Sequence, residues 1–129
     1  MTLGEYLVEK RTRWDWVMHD CSRWLDRWIV SRGHRSPIRA ANVRYSTELG
    51  AARVIRRAGG LLPLWTLGMI EAGIPECDDQ RAGDFAILSV DTDDGTNEAC
   101  GIWTGKRWAT LYRGGLAFGF GDPLLMWRI

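Results

Sequence analysis

The sequence predicts an α+β fold in a single domain, residues 1–129, with N-terminal helices packed on a small C-terminal antiparallel sheet. Three observations predict it. Before about residue 80 the apolar residues recur at helical spacing. After it they fall in short runs bounded by glycine and aspartate turns, the pattern of strands. A chain of 129 residues is also long enough to bury about two-thirds of its unfolded surface in one core.

The elements follow in order. Residues 4–10 form a short leading helix. From Cys21, the apolar positions Cys21, Trp24, Leu25, Trp28 and Ile29 make one continuous helical face, with Asp20 as N-cap and Gly33 as stop. The stretch "HRSPIRAANVRY" reads as a loop with a proline breaker. Ser46 or Thr47 then caps a helix that turns Ala51, Val54, Ile55 and Ala58 inward and Arg53, Arg56 and Arg57 outward, and Gly59-Gly60 ends it. A further helix spans about residues 62–72 and stops at "AGIP". The strands are "DFAILSV", "ACGIWTG", "RWATLY", "GLAFGF" and "LLMWRI", the second and third joined by a Gly105-Lys106 hairpin turn.

Composition narrows the function classes. Hydrophobic residues make up 46% and charged residues 26%, as in an ordinary soluble domain. No apolar run approaches the roughly 20 residues that span a bilayer. The N-terminus is charged and has no secretory pattern. Three widely spaced cysteines therefore predict reduced thiols in a protein made in the cytoplasm, not a disulfide framework.

The net charge of +1 hides a segregation. Residues 23–57 hold nine arginines against Asp26 and Glu48, and residues 71–98 hold nine acids against Arg81 alone. Two solvated faces that attract each other within the fold would give this pattern. So would a surface with a basic and an acidic side, suited to docking between other subunits. A balanced total charge and the lack of a clustered basic-aromatic motif speak against nucleic acid as the partner. Eight tryptophans in so short a chain supply core, and some supply interface anchors. Trp14, Trp16 and Trp127 are the candidates, with Arg53, Arg56 and Arg57.

Cys21 is the candidate for chemistry. A thiol in the first turn of a helix feels the partial positive charge of unpaired N–H groups, which favours thiolate and primes a nucleophile. The same residue also begins the apolar stripe, and free cysteine is commonly buried. His19 is the weak candidate base, poorly placed because it is so near in sequence. His34 lies about 20 Å along the helix axis from Cys21. His19, Cys21, Cys77 and Cys100 contain no C-x-x-C spacing, so no metal site is expected. The acidic turn "DTDDGTNE" lacks the twelve-residue calcium pattern, and no phosphate-binding glycine loop is present. No cofactor is expected.

Three segments carry a resemblance. "HDCSRWLDRWI" resembles the Asp-Cys-Ser segment of the NlpC-type, papain-like cell-wall cysteine peptidases, whose nucleophile opens a helix. "RAGDFAIL" resembles the Gly-Asp strand that follows in that family, and "ACGIWTGKRW" the next strand, usually His-Val-Gly-Ile-Tyr. Over nearly its full length the chain is similar to small phage and prophage proteins. The shared features are Trp16 with His19-Asp20-Cys21, Arg44-Tyr45, Arg56 to Gly60, Gly83-Asp84, Gly101-Ile102 and Trp127-Arg128-Ile129. Such proteins resemble the peptidase-like component encoded among tail-tip genes of long-tailed phages and gene-transfer agents.

The resemblance implies a papain-like, NlpC-type fold with Cys21 at the nucleophile position. It puts Ala99 at the place of the catalytic histidine, and so implies a degenerate peptidase. The function implied is a structural component of a phage tail tip, made in the host cytoplasm and located in the virion, docking to hub and distal tail subunits. The alternative is an active cysteine hydrolase of peptidoglycan peptides, with Cys21 as nucleophile and His19, or a residue from another subunit, as base. Whether Cys21 and Cys100 share a redox relation stays open at this point.

Overall fold

The computed structural model describes residues 2–9, 20–91, 97–112, 115–119 and 121–129. Its helices come first and its strands last, in an α+β order.

The first helix, α1 (Leu3–Glu9), starts in a reciprocal capping box. Glu5 N donates to Thr2 Oγ1 at 3.1 Å, and Thr2 N donates to a Glu5 carboxylate oxygen at 3.2 Å. The helix buries Tyr6 against Trp24 and Trp28, with ring centroids 6.4 and 5.3 Å apart. The second helix, α2 (Cys21–Ser31), begins where the Asp20 side chain accepts from Arg23 N. It ends as Gly33 turns left-handed at φ +83°. Its stripe Trp24, Leu25, Trp28 and Ile29 is fully buried, because the spacing puts all four on one face.

The segment read as a loop contains a short helix, α3 (Pro37–Ala40). Proline ends a helix from within, but at the first position its missing N–H costs nothing and its fixed φ suits the turn. Ser36 caps it, and the Asp26 carboxylate on α2 ties it down by accepting from Ser36 Oγ at 2.8 Å and Ile38 N at 3.1 Å. Helix α4 (Glu48–Ala58) is capped by Thr47 and closed by Gly59 in the left-handed region. Helix α5 (Leu61–Ala72) has no side-chain cap at Gly60. A residue distant in sequence supplies one instead, since both Glu98 carboxylate oxygens accept from Leu61 N and Leu62 N at 3.1 and 3.2 Å.

The sheet has six antiparallel strands in the order β1-β6-β2-β3-β4-β5. They are β1 (Glu76–Cys77), β2 (Phe85–Ser89), β3 (Glu98–Trp103), β4 (Trp108–Tyr112), β5 (Gly115–Phe118) and β6 (Asp122–Trp127). Strand β1 has no counterpart in the sequence pattern. Its two residues carry no alternation, and pairing with β6 alone defines them.

Alternation along the strands makes two apolar faces. Phe85, Ile87, Cys100, Ile102, Ala109, Leu111 and Trp127 meet the helices in the main core. Ala86, Leu88, Val90, Ala99 and Trp108 form a second cluster on the other face. Trp127 is 1% exposed within the main core, so it offers nothing to a partner. This corrects its reading as an interface anchor: the 2.0-residue strand period turns it inward. Arg53, Arg56 and Arg57 are exposed on α4. Trp14, Trp16 and His19, together with Asp93 and Asp94 of the acidic turn, lie outside the described residues.

The C-terminus is locked to the turn before β2. Buried Asp84 accepts from Arg128 Nε at 2.9 Å and Nη2 at 2.7 Å, and from Arg81 N at 2.8 Å. The "RAGD" and "WRI" segments are thus two halves of one structural contact. Among the described residues no helix is long and apolar enough to cross a membrane.

Candidate functional site

The first turn of α2, α3, α4, α5 and the adjoining ends of β3 and β4 enclose a cavity of about 670 Å³. Most of its wall is apolar: Ile38, Val43, Ala51, Val54, Ile55, Leu61, Leu64 and Leu111. This explains why Val54 and Ile55, inward by pattern, are only half-buried. Helix α4 walls the cavity, and only its Ala51 is buried. At Gly68 the backbone of α3 comes so close that a Cβ would lie 2.9 Å from the Pro37 carbonyl oxygen. No larger residue lets α3 and α5 meet there.

Cys21, Ser22, Asp20 and Tyr45 form the polar end of the cavity. Asp20 is fixed three ways. It caps α2, it pairs with Arg23 Nη1 at 3.2 Å, and it accepts from Tyr45 Oη at 2.5 Å. Arg23 also donates to the Tyr45 carbonyl and stacks 4.1 Å from the Tyr45 ring centroid. Burial and the Asp20 charge hold the Tyr45 phenol protonated, far above its ordinary range.

Cys21 is half-buried and reaches the cavity. Its pKa is lowered from the ordinary thiol value, chiefly by a hydrogen bond from the Cys100 side chain and against burial and the Asp20 charge. Position in the first turn of α2 acts in the same direction. The Cys100 thiol is 0% exposed, and burial together with the bond to Cys21 pushes its pKa up. Ser22 Oγ lies 3.7 Å from Cys100 Sγ and accepts from Trp65 Nε1 at 3.2 Å. All three cysteines are free.

The register decides which residue of β3 faces the helix that Cys21 opens. Ala99, the residue matched to the histidine by resemblance, borders the cavity, yet it pairs with Leu88 and packs in the cluster on the far face. Cys100 is the residue turned towards the helices, in the core cluster against which Cys21 packs. His34 sits past the other end of α2, where its Nδ1 accepts from Arg35 N at 2.9 Å. Among the described residues Ser22, Asp20 and Tyr45 share the polar end of the cavity with Cys21. Asp20 is engaged as a cap and ion-pair partner, and Tyr45 holds its proton. Among the described residues no group of three or more His, Cys, Asp or Glu is placed to hold a metal ion.

Fold and site together define an α+β domain with a cysteine at a helix N-terminus, opening on an apolar cavity. The chain belongs to the family described as "Domain of unknown function (DUF6950)", which matches residues 2–129. No curated protein and no solved structure matches it.

Sequence reasoning missed the Asp20–Tyr45 bond and the Glu98 cap, and left open the orientation of Cys100. The first two are long-range and leave no local signal. The third was available in principle from strand alternation, since Cys100 and Ile102 share a face.

Proposed function

We propose that this domain is a peptidase-like protein that has kept a nucleophile helix and a substrate-sized cavity, with no hydrolytic base among the described residues. Its fold is of the papain-like, NlpC type, and it serves as a structural component of a phage tail tip or a gene-transfer-agent-like tail, docking to hub and distal tail subunits. The observation that supports the loss of hydrolysis is the register of β3, which turns a thiol, Cys100, rather than a histidine towards the helix that Cys21 opens. A thiol whose own pKa is raised cannot take a proton from Cys21 at neutral pH. The tail-tip placement rests on the resemblance. The exposed arginines of α4 give that reading a docking face.

The test uses tailed particles from a strain that encodes the chain. The protein is expected in purified particles, and Cys21→Ser is expected to leave assembly and infectivity normal. Absence from the particles overturns the tail-tip assignment.

A second reading, a cysteine hydrolase of peptidoglycan peptides, is favoured by the lowered Cys21 pKa beneath the cavity. It predicts release of new amino groups from purified peptidoglycan by the isolated protein, abolished by Cys21→Ser. Intact particles that lose infectivity on Cys21→Ser also favour it.

A further inference from the structure

Two cysteines from opposite ends of the chain meet at the polar end of the cavity, and their surroundings differ. Cys21 lines the cavity and is open to a small molecule inside it, whereas Cys100 has no exposed surface. Cys21 packs against the core cluster that contains Cys100, which places the buried thiol behind it. The Ser22 hydroxyl stands 3.7 Å from Cys100 Sγ. Because Ser22 Oγ already accepts from Trp65 Nε1, its own proton is free to point at sulfur and support negative charge there. One accessible thiol with one buried thiol in contact behind it is the arrangement of an attacking and a resolving cysteine.

We propose that Cys21 and Cys100 form a redox-active dithiol, oxidised to an intramolecular disulfide by a small neutral disulfide that enters the cavity. The largely apolar wall, with Ile38, Val54, Ile55, Leu61 and Leu64, favours a neutral molecule over a charged one. In the first step the Cys21 thiolate bonds to one sulfur of the incoming disulfide. That disulfide's S–S bond breaks, and one thiolate leaves and takes up a proton. In the second step Cys100 gives up its proton and attacks Cys21 Sγ. The bond between Cys21 and the bound half breaks, and the second thiolate leaves with that proton. The protein loses two electrons and two protons, and the small disulfide gains them as two thiols. The lowered pKa of Cys21 supports its role as the attacking group.

This inference stands apart from the tail-tip reading, because it concerns the thiols of the isolated protein and either can fail alone. The reduced full-length protein is incubated with bis(2-hydroxyethyl) disulfide at neutral pH, quenched in acid, alkylated and mapped by mass spectrometry. The expected product is a Cys21–Cys100 cross-linked peptide with Cys77 still alkylated, returned to free thiols by dithiothreitol. Cys100→Ser is expected to stop at a hydroxyethylthio adduct on Cys21. The wild-type peptide map decides the matter should that variant not fold. A lasting adduct on wild-type Cys21, a cross-link through Cys77, or unreacted thiols in the wild-type protein overturns the proposal.

Discussion

Asp84 and Arg128 close the chain's C-terminus onto the turn before β2. The carboxylate is 3% exposed and takes two guanidinium nitrogens at 2.9 and 2.7 Å. Asp79 shares the same guanidinium at 2.9 Å, but its side chain is 61% exposed. Water replaces the contact Asp79 loses, while a missing Asp84 strands the Arg81 amide and half the fork. Asp84→Ala is therefore expected to lower the urea midpoint well below that of Asp79→Ala. Arg128→Lys should fall between, because lysine keeps the charge and loses the two-pronged geometry. Equal midpoints for the two aspartate variants would contradict this ranking.

Two helical glycines should respond oppositely to alanine. Alanine gains about 1 kcal/mol over glycine inside a helix. At Gly4 in α1 an added Cβ meets nothing within 4 Å, so Gly4→Ala should stabilise. At Gly68 the Cβ would press to 2.9 Å from backbone that cannot swing aside, and overpacking costs about 1–3 kcal/mol. Gly68→Ala should thus be neutral to destabilising and should also part α3 from α5 at the cavity wall. Denaturation midpoints of the two variants settle the contrast.

The Glu98 cap predicts a loss that local sequence does not show. Removing a helix N-terminal acceptor costs about 1 kcal/mol. Glu98→Ala should destabilise by that amount, and Glu98→Gln should recover part of it through its single carbonyl acceptor. The same measurement with Glu76→Ala, exposed on β1, should give almost no change.

The parts of the fold legible in sequence were those written locally. The Trp24–Ile29 stripe, the Thr47 cap, the Gly59-Gly60 stop and the Gly105-Lys106 turn each rest on a few neighbouring residues. What was not legible depends on partners distant in the chain. Pro37 looked like a breaker because its position relative to Ser36 and Asp26 was unknown. The resemblance puts Ala99 at the histidine's place because a motif match fixes the order of residues, not the side of the sheet. Cys21 was legible as the residue that opens α2, and whether Cys100 lies opposite it was left open.

That neighbour gives the thiols a testable order on a pH axis. The hydrogen bond from Cys100 favours the Cys21 thiolate, so Cys21 titrates below the ordinary thiol value. Burial and the Asp84 charge move Cys77 the other way. Alkylation follows the thiolate fraction, so the Cys21 rate should rise at lower pH than the Cys77 rate. Replacing Cys100 with alanine removes the largest influence holding Cys21 down, while the Asp20 charge goes on opposing ionisation. The Cys21 midpoint should therefore move up in Cys100→Ala, with the Cys77 midpoint unchanged. Iodoacetamide labelling across pH, read peptide by peptide, measures both. A Cys21 midpoint that stays put in Cys100→Ala would show that the helix N-terminus, not the facing thiol, sets its acidity.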